Sequence, residues 1–522
     1  MDIIYWLISC VVLIATRIFY FRINPNTTKA ITIGNDAIAH LHIVKRIKKQ
    51  KGKLPDFSDL YTFEKSDYPY GYHKIINLFG FSLNFLEKYG GYFPIFWDIL
   101  LLTAVNYTLG VYGGSKIVSL LFPFLVVFIW NIGRSTHFTE RAFGILFGNL
   151  YLLSGVLIYL SGNYFILLIS ILFFILFASA SKFTWQAVLF FSVILSTLSW
   201  TPLYIGLFIF CFVVASLLTN HYTSRVFIGV VRHSIFCRTH LWKLFLKNSN
   251  YGDFITFLKR LRHGHLNEAV SYYFSNPILK LVSDNPITII AVAVVIRNYK
   301  SLDIFAFWFI AGVLLVLFIS TDLLKFLGEP ERYMELAVIP VFVLTSRFTA
   351  ASPFDYILIV LTVTFLAFSY VYHIKYRIRV DTMYSFLQEE YMSAMELVEL
   401  IKDYKNKTIL TIDMRVSFFF GYYNENNRFI SDFTNSPVIS RWKDYMELMP
   451  DRLAYPGNDI DTYIRKYEID YMIVHKKRLI DINHLTKKKY YDFSRYREEF
   501  KNEFFTLYNT SSCISEKRLH YG

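Results

Sequence analysis

Residues 34–57 read GNDAIAHLHIVKRIKKQKGKLPDF, and they come just after an apolar run, 3–21, of the length that crosses a hydrocarbon core. Asp36 and His40 stand i, i+4, so on a helix they share one face. Behind them Leu41, Val44 and Ile47 alternate with Lys45, Arg46, Lys48 and Lys49. That spacing predicts an amphipathic helix lying in the membrane interface, its lysines among lipid phosphates. Asp36 suits two roles equally, as the cap of that helix or as a functional carboxylate.

The rest of the chain makes a membrane setting the natural one. Its 522 residues are 54% hydrophobic, 19% aromatic and only 18% charged, with a mean hydropathy of +0.36. A soluble chain of this length carries more charge. Windows of ~19 residues mark about eleven candidate spans: 3–21, 93–110, 115–132, 142–160, 164–180, 184–200, 203–219, 284–298, 302–320, 333–347 and 354–373. The first reads as a retained span, since it lacks the basic start and small-residue cleavage site of a signal peptide. The expected fold class is a polytopic α-helical membrane protein, residues 1–379, followed by a soluble α/β domain, 380–522. In the latter, EEYMSAMELVELIKDYK has helical periodicity, while TILTIDM, YMIVHKK and FKNEFFTLYN read as strands.

Two polar intervals interrupt the spans: a first external loop, 22–92, and a basic loop, 220–283. The net charge of +14 sits between and after the apolar runs, where it meets lipid headgroups or a phosphorylated substrate, so nucleic acid is not an expected partner. The four cysteines are scattered and form neither a disulfide framework nor a zinc spacing. With the N-terminus inside, an odd number of spans puts 22–92, 133–141, 220–283, 321–332 and the tail outside. Lys116, Arg297, Lys300 and Arg347 then fall inside, as the positive-inside rule asks; the basic 220–283 loop runs against it, though long loops obey it weakly.

Under this topology the polar exceptions gather on one side. SDYPYGYHK, 66–74, is a rigid aromatic turn in which Tyr68, Tyr70 and His73 are either an interfacial belt or the wall of a polar-substrate pocket. GRSTHFTERAFG, 133–144, brings His137, Glu140 and Arg141 to the junction of two spans. Arginine suits a phosphate because its planar fork donates paired charge-assisted hydrogen bonds. LGEPERYMEL, 327–336, adds Glu329, Arg332 and Tyr333 ahead of an apolar run. Ionic groups at a membrane boundary cost least when they pair or face a wet cavity.

These stretches, D-A-x-x-H-L with a basic helix ending in KLP, then YPYGYH, THFTER and GEPERY, with an extracytoplasmic α/β tail closing on FFTLYNTSSCIS, resemble the GT-C-type integral membrane glycosyltransferases. The resemblance implies a sugar donor carried on a polyprenyl phosphate or diphosphate, a glycan, lipid or other acceptor, and no cofactor beyond that lipid-linked substrate. By position it makes Asp36 the general base, with Arg141 first and Arg332 second as cations for the leaving phosphate. It departs from the protein O-mannosyltransferases in having Asn35, not an acid, before Asp36. It also lacks the WWDYG signature of oligosaccharyltransferase catalytic subunits. Both departures disfavour a protein acceptor and a required metal. The expected location is the cell membrane, with the active site and tail extracytoplasmic. The alternatives are a lipid-linked glycan transporter or flippase, which would need ionisable residues inside spans, such as Asp98 or Asp322, and a polysaccharide polymerase.

Overall fold

The computed structural model describes residues 2–23, 36–63, 68–124, 138–241, 250–384, 386–412, 416–432, 443–444, 460–477, 479–480 and 493–510. The chain divides into two compact units. The first comprises Met1–Thr28, Pro69–Tyr72 and Gly91–Val380; the second comprises Lys29–Tyr68, His73–Gly90 and Asp381–Gly522.

The first unit is helical. Among the described residues, Leu83–Tyr112, Arg141–Ser161 and Pro353–Tyr372 are long and apolar enough to cross a membrane. Shorter apolar helices occupy Ile3–Phe19, Ile166–Ala180, Lys182–Leu198, Leu203–Leu218, Thr288–Arg297 and Ile304–Ile319. These three long and six shorter helices fall on nine of the expected windows. The other two windows depart from continuous α-helix within the described residues. Window 115–132 opens as a 3-10 helix, Lys116–Phe124, containing Pro123, which has no amide to donate. Window 333–347 divides into a 3-10 helix, Pro330–Ala337, and a short helix, Val338–Ser346. The stretch expected to be a basic loop, 220–283, holds among its described residues the α-helices Tyr222–Phe236, Asn250–Arg262, Leu266–Ser275 and Lys280–Ser283 and a π-helical turn, Cys237–Leu241.

Helix ends in this unit follow local chemistry. Gly162, with φ 64°, closes Arg141–Ser161 in the left-handed region, where a residue without Cβ carries no penalty. Ser181 ends one helix and caps the next by accepting from the Thr184 amide. Tyr112, Gly114, Arg347 and Asp303 meet at one end of the bundle. There Arg347 donates to the Tyr112 carbonyl at 3.1 and 2.9 Å and to Asp303 at 2.6 Å, and the Ser346 hydroxyl accepts from the Gly114 amide. Asp98, one of the two acids that a transporter would need, is buried against Arg17 at 2.8 Å. Asp322, the other, pairs with Lys325 at 2.8 Å. For the Arg17–Asp98 pair, buried on both sides, such pairing is what low-dielectric surroundings demand of a charge; Asp322 is exposed.

The second unit is α/β. Its sheet runs β1 (Tyr61–Phe63), β3 (Arg428–Asp432), β2 (Thr408–Ile412), β4 (Tyr471–His475), β6 (Phe505–Asn509), β5 (Arg497–Lys501). The first four strands are parallel and the last two antiparallel. Strands β2 and β4 are mostly apolar (Ile409, Leu410 and Ile412; Met472, Ile473 and Val474) and buried beyond their first residue, as parallel strands covered on both faces are. The helix Phe386–Ile401 precedes β2, as its periodicity predicts. FKNEFFTLYN, expected as one strand, is a hairpin: the Asn502 side chain accepts from the Phe504 and Phe505 amides, a turn chemistry typical of Asn.

The largest difference from the sequence-based division concerns residues 22–92, which that division assigns to the membrane part. The strand β1 of that segment joins the tail's sheet beside β3 (Tyr61 opposite Phe429). The helix Asp36–Lys49 packs against Ser417–Tyr423 and Leu83–Tyr89, so it is buried within a folded unit and not laid on a lipid surface. A three-residue strand has no periodicity to detect, and its pairing depends on a partner more than 360 residues away.

Removing one partner of a buried ion pair strands the other charge, at a cost of about 3–5 kcal/mol. Asp98→Ala is therefore expected to lower thermal stability in detergent sharply. The double replacement Arg17→Met/Asp98→Leu should recover most of the loss, as read from the melting midpoints of the purified full chain.

Candidate active site

Three of the four nominated stretches meet at one end of the first unit. Arg141 begins the helix Arg141–Ser161, with Glu140 half-buried at its N-cap position. The buried Arg141 guanidinium grips Glu335, its Nε donating at 3.2 Å and its Nη2 closing a second bond. Glu335 is 1% exposed, and the amide of Asn149 donates to its backbone carbonyl at 2.8 Å. The pair thus ties the start of one long helix to the 3-10 helix Pro330–Ala337.

That 3-10 helix carries the remaining residues of the segment. Tyr333 is fully buried, edge-on to Phe183 with ring centroids 5.1 Å apart, and its hydroxyl accepts from Gln186 Nε2. Gln186 also donates to the Leu327 carbonyl at 2.9 Å. Arg332 lies over the Phe183 ring, its guanidinium carbon 4.1 Å from the centroid, with Nε 4.0 Å from the half-exposed Glu329 carboxylate. Glu331 pairs with Lys280 at 2.7 Å.

The aromatic turn is held at the same end. The Tyr70 amide donates to the Tyr222 hydroxyl at 2.6 Å. A Cβ at Gly71 would strike the Ser179 side chain and lie 2.8 Å from its carbonyl oxygen, so only glycine lets the turn approach the helix Ile166–Ala180 this closely. Tyr72 packs on Phe138 and Phe143, next to Arg141 in sequence. Tyr70 and Tyr72 are buried within the protein.

The remaining nominated residues belong to the second unit. His40 and His73 stack with rings 4.9 Å apart and 7° from parallel, His40 Nδ1 lying 2.7 Å from His73 Nε2. One imidazole donates to the other, so the bond needs one of the facing nitrogens to carry a proton and the other to lack it. Tyr68 is tilted against His73 at 6.2 Å. Asp36 opens the helix that carries His40, but its side chain lies outside the described residues, as does all of His137. Among the described residues no group of three or more His, Cys, Asp or Glu is placed to hold a metal ion.

The cations of that helix do not line up for lipid phosphates. His42, Lys45, Arg46 and Lys49 occupy i, i+3, i+4 and i+7, a single face, and all four converge on Glu425. The contacts are His42 Nε2 at 3.3 Å, Lys45 Nζ at 3.7 Å, Arg46 Nε at 3.4 Å and Lys49 Nζ at 2.8 Å. Arg46 also reaches Asp59 at 3.1 Å. Nothing local in NENNR, 424–428, marks Glu425. Glu335 did leave a signal, being an acid inside an apolar window, where it must find a cation.

No family model and no curated protein sequence matches the chain. Among solved structures, the archaeal oligosaccharyltransferase AglB from Archaeoglobus fulgidus, in complex with an inhibitory peptide and a dolichol-phosphate, is similar over 98% of this chain and 74% of its own, with a TM-score of 0.51 and 10% sequence identity. The chain shares its fold with that archaeal enzyme. At that identity the likeness is one of fold, and the GT-C resemblance carried by D-A-x-x-H-L, YPYGYH, THFTER and GEPERY agrees with it.

Burial holds the His42 imidazole down at about 4 against an ordinary 6.5, with Glu425 opposing the shift and Lys45 and Arg46 adding to it. For Glu425 burial works upward, but the hydrogen bonds from His42 and Lys49 and the charges of Lys45 and Arg46 prevail, holding its carboxyl well below 4.5. At both sites the unfolded chain binds more protons, so stability rises with pH. The His42 contribution erodes as pH falls from 6.5 to about 4, and that of Glu425 once pH drops below 4.5. The melting midpoint should therefore fall on acidification through this range, and His42→Gln should flatten the upper part of that slope.

Proposed function

We propose that this protein is an integral membrane glycosyltransferase that moves a sugar from a polyprenyl-phosphate-linked donor to a glycan, lipid or other acceptor on the extracytoplasmic face. The observation that carries the reading is the gathering of Arg141, Arg332, Tyr333 and Glu335 at one end of a bundle with this fold. The dolichol-phosphate bound to the archaeal enzyme supports a lipid phosphate as leaving group here.

In the proposed step an acceptor hydroxyl attacks the anomeric carbon and gives its proton to the Asp36 carboxylate. As the new C–O bond forms, the bond from the anomeric carbon to the phosphate oxygen breaks, and its electron pair leaves with the polyprenyl phosphate. General base catalysis of this kind contributes about 10²–10⁴-fold. The leaving group is already anionic and needs a cation more than an acid. Arg141, the first choice by sequence, is saturated along one edge by Glu335, so the role passes to Arg332. Arg332 is more exposed than Arg141 and lies over the Phe183 ring, with the Glu329 carboxylate at 4.0 Å. Arg141 then supports the segment that presents Arg332.

The test uses the full chain reconstituted in liposomes with a panel of polyprenyl-phosphate sugars, following release of polyprenyl phosphate. Asp36→Asn should insert normally and reduce transfer by at least ~100-fold. Arg332→Ala should raise the donor KM by about tenfold or more, the worth of one charge-assisted hydrogen bond. Transfer by Asp36→Asn at the wild-type rate would remove Asp36 from the role of base.

A further inference from the structure

The convergence on Glu425 leaves a question that the glycosyltransferase reading does not answer: what the C-terminal α/β domain contributes. Glu425 follows the helix Ser417–Tyr423, between β2 and β3, yet its carboxylate meets four side chains of the Asp36–Lys49 helix and is only 11% exposed. A carboxylate offers about four acceptor sites, and here they are shared by an imidazole, a guanidinium and two ammonium groups. The neighbourhood reinforces the grip. Lys45 Nζ donates to the Tyr422 carbonyl and lies 4.7 Å over the Tyr422 ring. The His42 ring is edge-on to Phe57 at 5.2 Å and to Tyr422 at 5.8 Å. A Cβ on Gly421 would sit 2.5 Å from the Tyr61 hydroxyl.

These contacts bear on one helix, the one that Asp36 begins. His42 is six residues on, about 9 Å along the axis, so an anchor at 42–49 sets the direction and rotation of the first turn without touching it. The stack of His40 on His73 lies between anchor and first turn. We infer that Glu425 is a positioning residue for the transfer reaction: through its four contacts with the Asp36–Lys49 helix, the C-terminal domain holds that helix in the orientation that presents its first residue to the substrate. The inference rests on the reading of Asp36 as general base. It makes the tail a part of the catalytic apparatus by geometry, without contributing a reacting group.

The experiment uses the full chain in nanodiscs with three variants. Glu425→Lys replaces attraction by repulsion, Glu425→Gln keeps the shape and loses the charge, and Glu425→Lys/Lys49→Glu reverses the shortest of the three ion pairs with Lys45, Arg46 and Lys49. Amide hydrogen exchange over residues 37–49 reports the hold on the helix, and exchange over β2 and β4 reports the integrity of the sheet. Initial rates give kcat and the donor KM separately. A misplacement of about 1 Å costs on the order of 100-fold in rate, so Glu425→Lys should speed exchange in 37–49 and lower kcat by about tenfold or more. The donor KM should change by less than about twofold. Glu425→Gln should fall between, and the reversed pair should recover both exchange and kcat in part.

Two results would overturn the inference: faster exchange in 37–49 with kcat unchanged, or a lowered kcat with exchange over 37–49 unaltered. Should Glu425→Lys also loosen β2 and β4, the decision rests on Glu425→Gln and the reversed pair, judged by the same two results. A wild-type chain that transfers no sugar, or an Asp36→Asn chain as active as wild type, sinks the functional reading and this inference with it. That outcome is distinct from failure of the inference alone, in which wild type transfers, Asp36→Asn does not, and the Glu425 variants keep full kcat.

Discussion

A charge in apolar surroundings must be paired, because in a low dielectric an isolated ion loses several kcal/mol of hydration that nothing else returns. The helical unit is organised around that constraint. Arg17 meets Asp98, Arg141 meets Glu335, Lys280 meets Glu331 and Arg347 meets Asp303. Each pair joins segments far apart in sequence, so each fixes how two helices or helix ends lie together. Apolar packing is permissive in rotation and register, whereas an ion pair has one geometry. The pairs therefore specify which ends of which helices meet, and the polar end at Arg141 and Glu335 is one product of that selection.

The same constraint works differently in the α/β unit. The Asp36–Lys49 helix is too basic to be buried on apolar packing alone, and it is buried nonetheless. Glu425 and Asp59 make this possible by answering His42, Lys45, Arg46 and Lys49. The other side of the helix, with Leu41, Val44 and Ile47, is fully excluded from solvent. Once β1 has joined β3, the helix that precedes β1 is confined to the neighbourhood of Ser417–Tyr423. Strand addition and charge convergence thus reinforce each other, and a segment from the first tenth of the chain becomes part of the fold of its last quarter.

How much was legible beforehand depended on the range of the interaction. Apolar windows located nine helices, because hydropathy over twenty residues is a local property. It did not foresee the 3-10 geometry at Lys116–Phe124 and Pro330–Ala337, and it read 220–283 as a loop because the helices there have no long apolar run. In the tail, β2, β4 and the helix Phe386–Ile401 were visible as runs and periodicities, while β1 and β3 were not, being short and marked only by their partners. The site was legible as residue types: THFTER and GEPERY each announced ions at a membrane boundary. That Arg141 would be bound by Glu335, and Arg332 laid over Phe183, could not be read from spacing.

By itself the sequence determined that the chain is apolar and helical over most of its length, carries an α/β domain after about residue 380, and holds GT-C-like motifs beside particular apolar runs. Those properties follow from composition and short-range periodicity, which every folded state of the chain must respect. Tertiary structure alone decided which unit receives the Asp36 helix, what its basic face binds, and which acid each arginine meets. Such choices depend on groups separated by as many as 380 positions, brought together only when burial makes an unpaired charge too costly to leave alone.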